Sequence, residues 1–225
     1  MASKMFTYAG KRMVTWNLFT GCNFNCSYCW ARALAETRLK ASYPNGFIPT
    51  THPGRFNRKF KPDDFVFPIS MGDIAFAPTF VIEEIWNCAL KFPETKFLLC
   101  TKAPDIYSRF KETLPNLYLG ATIETNRPYP KTISKAPEVK LRYGIMASLE
   151  NVDHKFLSIE PIMDFDLIEF SHWIYDINPE IVEIGADNYN NNLPEPSDYK
   201  IRKLIDILIL HGVNVIQKQG LERLL

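Results

Sequence analysis

Cys22, Cys26 and Cys29 stand in the run Gly21-Cys22-Asn23-Phe24-Asn25-Cys26-Ser27-Tyr28-Cys29, a C-x3-C-x2-C spacing with an aromatic residue directly before the last thiol. Thiolates are soft ligands, and three this close together can hold three corners of a cubane iron–sulfur cluster. No fourth cysteine lies nearby, so one iron would keep open coordination positions. An open iron binds and activates a small molecule, whereas a fully ligated cluster mainly carries electrons. Zinc is the alternative, because three cysteines and a histidine can make a closed structural site in a binding module. The nearest histidine, His52, lies 23 residues past Cys29. Cys88 and Cys100 are isolated and read as small core residues.

The elements that must position this loop follow a regular order. Short apolar runs alternate with helical patterns, which predicts βα units and a parallel sheet. Strands are expected at about residues 12–19, 65–70, 97–101, 117–123, 156–159, 181–185 and 213–217. Helices are expected at about 30–40 and 79–91, after Pro104, within 135–150, and at 166–177 and 198–211. Leu167, Phe170, Ile174 and Ile177 share one stripe, as do Ile201, Leu204, Ile205 and Leu208. A complete eight-unit barrel takes about 250 residues. The expected fold is therefore α/β, a partial, open (β/α)6 barrel of mostly parallel strands, as one domain over residues 1–225. Residues 41–64 form a long insertion after the first helix, with room for a short strand, a short helix or a lid.

In barrels of this kind the chemistry collects at the C-terminal ends of the strands. There the apolar runs lead to Asp73, Thr101-Lys102, Glu124, Glu160, Asp187 and Gln217-Lys218. Parallel strands would bring these groups to one mouth beside the cysteine loop. Polar residues after strands are also ordinary, because loops are wet and helices need caps.

Composition narrows the setting. With 225 residues, 46% of them hydrophobic, the chain can bury a sizeable core. No apolar run approaches the roughly 20 residues that cross a bilayer, and the N-terminal residues lack the apolar stretch of a signal peptide. No membrane partner is expected. A net charge of +1 gives no molecule-wide attraction to DNA, so any basic patch must be local. Five cysteines, three of them clustered, do not read as a disulfide framework and point to a reducing cytoplasm.

The C-x3-C-x2-C motif resembles the signature of the radical S-adenosylmethionine (SAM) superfamily. Further stretches narrow the likeness: Trp16-Asn17-Leu18-Phe19-Thr20-Gly21-Cys22, Ser70-Met71-Gly72-Asp73, Leu99-Cys100-Thr101-Lys102, Leu119-Gly120-Ala121-Thr122-Ile123-Glu124 and Phe156-Leu157-Ser158-Ile159-Glu160-Pro161. Over residues 12–218 the chain resembles a phage-associated group of short radical SAM proteins. The resemblance implies a [4Fe–4S] cluster on Cys22, Cys26 and Cys29, with SAM chelating the open iron. It implies a one-electron reductant, flavodoxin- or ferredoxin-like, and a 5′-deoxyadenosyl radical that removes hydrogen from a substrate. Gly72 and Asp73 stand where the SAM amino group is met, although Met71 and Asp73 depart from the commoner Gly-Gly-Glu. Glu124 and Asn126 stand where ribose contacts arise. Glu160 is expected to face substrate, and the segment ending at Asp187 to support adenine. Tyr28 packs either on adenine or simply within its loop. No catalytic acid or base is assigned.

The substrate-facing expectation falls on residues 41–64, where His52, Arg55, Arg58 and Lys59 are interleaved with aromatics. Cations meet phosphates and aromatic rings stack on bases, which predicts a nucleic-acid or nucleotide partner and base modification or repair. An ordinary solvated loop has the same composition. A second rim segment, residues 188–192, follows the sixth expected strand. A peptide or small-metabolite substrate, and a cluster-binding protein that no longer turns over, stay open.

Overall fold

The computed structural model describes residues 7–8, 11–110 and 113–225. Seven strands form one all-parallel sheet: β1 (Val14–Trp16), β2 (Phe65–Pro68), β3 (Lys96–Thr101), β4 (Leu117–Thr122), β5 (His154–Ile159), β6 (Ile181–Ile184) and β7 (Asn214–Gln217). Their order in space is their order in the chain. Five α-helices link them: α1 (Trp30–Glu36), α2 (Thr79–Lys91), α3 (Val139–Ser148), α4 (Leu167–Ile177) and α5 (Asp198–Leu210). Repeated parallel crossovers of one hand curl such a sheet into a half-barrel with helices outside. This is the partial (β/α)6 barrel that the apolar runs predict.

The strands alternate strictly, and the two faces carry different residues. Outward side chains such as Val66, Phe97, Leu99, Leu119, Leu157, Val182 and Ile184 pack under the helices in the main core. That core takes Val81, Ile82 and Ile85 from α2, Phe170 and Ile174 from α4, and Ile201 and Leu204 from α5. The inward face is layered. Met13, Phe65, Leu98, Tyr118, Phe156 and Ile181 close its floor. Above them come Cys100, Ser158 and Glu183, two residues further along their strands, and Thr122, four residues past Tyr118. An apolar floor below a polar layer makes a chamber open toward the strands' C-terminal ends.

Two elements differ from expectation. The first strand is split. Val14–Trp16 joins the sheet, but Phe19–Thr20 leaves it to pair antiparallel with Thr50–Thr51. Asn17 makes the break: its Oδ1 accepts from Ser70 Oγ at 3.1 Å and from the Met71 amide at 2.9 Å, pinning the end of β2. The helix expected after Pro104 is a 3-10 segment, Pro104–Arg109. The insertion does hold short elements of the kind it had room for: the Thr50–Thr51 strand and 3-10 turns at Lys40–Ser42 and Pro53–Arg55.

Candidate active site

The cysteine loop sits at the mouth of the half-barrel because two glycines let backbones touch. Gly21, at φ +91°, has no room for a side chain: a Cβ there would lie 2.3 Å from the Ile48 carbonyl oxygen. Gly72 faces it across an isolated parallel bridge, and a Cβ on Gly72 would lie 2.8 Å from the Gly21 oxygen. The Gly21 amide donates to Met71 O at 2.9 Å. The close approach allowed by Gly72 is thus to the cysteine loop's own backbone.

All three cysteines of the motif line one cavity above the chamber. Two of the sulfurs accept local amide bonds, Cys22 from Phe24 N and Cys29 from Arg32 N, both at 3.4 Å. Cys26 Sγ lies 3.1 Å from Ser134 Oγ, across from the β4–α3 connection. Arg32 ties the loop to α1 by donating to Cys22 O at 2.8 Å and to Asn25 Oδ1 at 2.5 Å. Burial, reinforced by Asp73, pushes the Cys22 thiol well above its ordinary pKa, and burial also raises Cys29. Among the described residues, no three His, Cys, Asp or Glu side chains converge on a single metal ion.

Of the other residues expected at the site, Tyr28, Gly72, Asp73, Glu160 and Asp187 line the same cavity. Asp73 is buried and already held: Oδ1 accepts from Thr101 Oγ1 at 2.5 Å and Ala75 N at 3.0 Å, and Oδ2 from Lys102 N at 3.0 Å. Burial raises its pKa, and those three donors pull it back in part. Glu160 is ion-paired with Lys218. Gly185 leaves room for it, since a Cβ there would lie 2.7 Å from the Glu160 carboxylate. The Asp187 carboxylate organises its own loop, accepting from Asn191 N at 2.6 Å and Asn191 Nδ2 at 2.5 Å.

Glu124 and Asn126 do not meet the cavity as expected. Glu124 is fully buried and takes Lys102, Arg142 at 2.9 Å, the Tyr28 hydroxyl at 2.5 Å and the Tyr129 hydroxyl at 3.3 Å. With both oxygens engaged by the protein, it has no free lone pair aimed at a ribose. Burial alone would raise its pKa, but Lys102 and Arg142 outweigh burial and hold it at about 2. Asn126 donates to Glu169 at 2.8 Å and accepts from Asp166 N at 2.9 Å, so it fastens its loop to the start of α4. Tyr28 lines the cavity while its hydroxyl donates to Glu124 and accepts from Lys102 Nζ at 3.0 Å.

The basic insertion also lies elsewhere. Arg55 Nη1 donates to Asn17 O at 2.7 Å and Arg58 Nη1 to Thr15 O at 2.6 Å. His52 Nε2 meets Thr20 Oγ1 at 2.8 Å, and Lys59 is exposed. None of the four lines the cavity. Arg55 and Arg58 cover the carbonyls along β1, the outermost strand of the sheet, and so blunt an edge that would otherwise pair with another chain. From this insertion, Phe47 reaches the cavity.

Sequence reasoning put Lys102 and residues 188–192 at the mouth without giving Lys102 or Tyr189 a role, and it missed Arg142 and the cavity-lining Cys100 and Trp30. Period-two alternation already puts Leu98, Cys100 and Lys102 on one face of β3. That signal places Cys100 on the chamber wall, where its thiol lies 3.6 Å from Thr122 Oγ1 and burial pushes its pKa up to about 12. Arg142 gave no such signal, being one cation inside a helix.

The curled half-barrel is similar to a solved structure described as a radical SAM methyltransferase from Sphaerobacter thermophilus. The two align with a TM-score of 0.54 over 96% of this chain and 69% of that chain, at 11% sequence identity. The likeness defines the fold as a half-barrel of radical SAM type. No family profile matches the chain, and no curated protein is significantly similar to it.

Proposed function

We propose that this protein is a radical SAM enzyme whose substrate is a nucleobase or nucleotide, modified or repaired at a C–H bond. The observation that carries the chemistry is the placing of three thiols of a C-x3-C-x2-C loop on one cavity at the C-terminal mouth of a half-barrel. The donor set fits a [4Fe–4S] cluster. Cysteine thiolates are its ligands, amide N–H···S bonds are its usual neighbours, and a cubane does not require the sulfurs to converge on one point.

Cys22, Cys26 and Cys29 would hold the cluster. When bound, the cluster and SAM, with one electron from a flavodoxin- or ferredoxin-like donor, would supply reductive cleavage of the sulfonium C–S bond to methionine and, from the 5′-deoxyadenosyl fragment, the power to take a hydrogen atom from substrate. The remaining work belongs to the chain. Asp73 has three donors on a carboxylate with about four acceptor positions, which leaves one for the SAM ammonium. Gly72 keeps the wall beside it thin. Ala186 and Asp187 line the opposite wall, where adenine would rest. Glu160 lines the cavity and is paired with Lys218, so its carboxylate would be the charged group presented to substrate. Phe24, Tyr28 and Phe47 keep water from the thiols. A cluster with an open iron requires a reducing, low-oxygen setting, which fits a cytoplasmic protein.

Anaerobic reconstitution tests this reading. The wild-type protein should take up about four irons. With dithionite and SAM it should release methionine and 5′-deoxyadenosine. Cys26→Ala should lose both the intact cluster and SAM cleavage. A colourless protein carrying one tightly bound zinc, or normal cleavage by the Cys26 variant, would refute the assignment.

A further inference from the structure

A side pocket opens next to the cavity, on the α1 side of the cysteine loop, and the two share Tyr28, Cys29, Trp30, Tyr189 and Asn191. Two large rings stand at this junction. Trp30, the first residue of α1, is 40% exposed, and Tyr189, in the loop between β6 and α5, is 62% exposed. No lysine, arginine, aspartate or glutamate lines the side pocket. The amide of Asn191 is fixed: its Nδ2 donates to Asp187 at 2.5 Å and its backbone N to the same carboxylate at 2.6 Å, which leaves Oδ1 as an acceptor.

Exposed aromatic rings at a cavity mouth have a use when something flat stacks on them, and every nucleobase offers a π-face. An uncharged lining favours a neutral heterocycle over a phosphate, which would call for the cations that are spent instead on the β1 edge. An oriented amide oxygen accepts from an exocyclic amine, the donor carried by cytosine and adenine. We propose that Trp30, Tyr189 and Asn191 form the substrate's base-recognition subsite, stacking one nucleobase at the entrance and reading its amino group. The proposal rests on the radical SAM reading for the reaction, but the subsite itself is a binding surface and can be measured without turnover. Substrate recognition thereby moves from the basic insertion to the rim between α1 and the β6–α5 loop.

The test uses the reconstituted protein under anaerobic conditions, titrated both without SAM and with saturating SAM, with cytidine and uridine as probes and saturation-transfer NMR as the readout. Pyrimidine nucleosides keep the measurement clear of SAM's own adenine. Cytidine should bind, several-fold tighter than uridine, because one hydrogen bond distinguishes them. Trp30→Ala and Tyr189→Ala should each weaken cytidine by about tenfold, the effect of losing one stacking ring. Trp30→Phe, which keeps a ring, should stay within about threefold of wild type. Equal thermal melts of the four proteins establish that exposed positions, not the fold, were changed.

Three results overturn the proposal: no cytidine binding at millimolar concentration, affinity untouched by either alanine variant, or binding that disappears when SAM is added. The last would assign the rings to SAM's adenine. Equal affinity for cytidine and uridine would overturn the role of Asn191. SAM cleavage by the wild-type protein is scored separately, so a failed subsite and a failed radical reading give different results.

Discussion

Glu124→Gln should be the most destabilising conservative substitution at the site. The carboxylate is fully buried between two cations, with Lys102 on one oxygen and Arg142 at 2.9 Å on the other. Glutamine keeps the shape and one acceptor oxygen but removes the charge, and its amide nitrogen must face a donor. Two cations, one fully buried and one nearly so, then lack their counter-charge. Removing one partner of a buried ion pair costs about 3–5 kcal/mol. The depressed pKa of Glu124, which has the same two cations as its cause, leads to a figure of the same order. Its pKa drops from an ordinary 4.5 to about 2, which at about 1.36 kcal/mol per pH unit is roughly 3 kcal/mol of stability. The two figures agree to within their order of magnitude. For a chain of this length they correspond to a melting temperature lower by about 6–20 °C.

The pH dependence fixes the cause. A carboxylate whose pKa is depressed by folding contributes stability that is complete above its unfolded pKa and is lost as pH falls through the folded one. The gap between wild type and Glu124→Gln in urea unfolding should therefore be constant from pH 7 to about 5. It should narrow between about pH 4.5 and 2 as the wild-type carboxylate protonates. A gap below about 1 kcal/mol at pH 7, or one already closed at pH 5, would show that the three charges do not stabilise one another as their geometry requires.

Gly21→Ala should prevent the cysteine loop from docking, because the Cβ would lie 2.3 Å from a backbone carbonyl at a left-handed φ; iron incorporation measured against wild type should fall to background. Gly185→Ala should displace the Glu160 side chain, which lies 2.7 Å from the new methyl, and loosen its pair with Lys218; a crystal structure of the variant should show the carboxylate moved. Arg55→Ala with Arg58→Ala should cost about 1–2 kcal/mol in urea unfolding and promote self-association in light scattering, because the β1 carbonyls lose their covering donors. That same pair of changes should leave cytidine binding unaltered, since neither side chain lines the cavity.

The sheet was legible because a parallel strand buried on both faces is a continuous apolar run between helical patterns. Runs such as Lys96–Thr101 and Leu117–Thr122 start and stop within a residue of where the pattern puts them. α2 could be bounded equally well, between Pro78 and the end of its stripe. The split of the first strand was not legible. Residues 12–19 read as one strand, and the break depends on Asn17 reaching Ser70 and Met71, more than fifty positions along the chain. The 3-10 segment after Pro104 has the same character, since nothing local separates one tight turn from the first turn of a helix.

The candidate site divides along the same line. Local spacing identified the cysteines, because their grouping is a property of eight consecutive residues. The role of Glu124 is not local. Its position at the end of β4 marks it as polar at the mouth, but whether it turns to a ligand or to the protein depends on what faces it. Here that is Lys102 from β3 and Arg142 from the middle of α3. Arg142 is 0% exposed inside a helix that has no other buried charge, an arrangement stable only because Glu124 and the Tyr129 hydroxyl receive its guanidinium. The consequence reaches the cysteine loop. Tyr28 is held between Cys26 and Cys29 by the same carboxylate, so the charge that balances Lys102 and Arg142 also fixes the loop bearing the thiols. A residue that resembles a ligand contact in sequence thus acts here as a fastening between the barrel wall and the cysteine loop, and its loss should loosen both together.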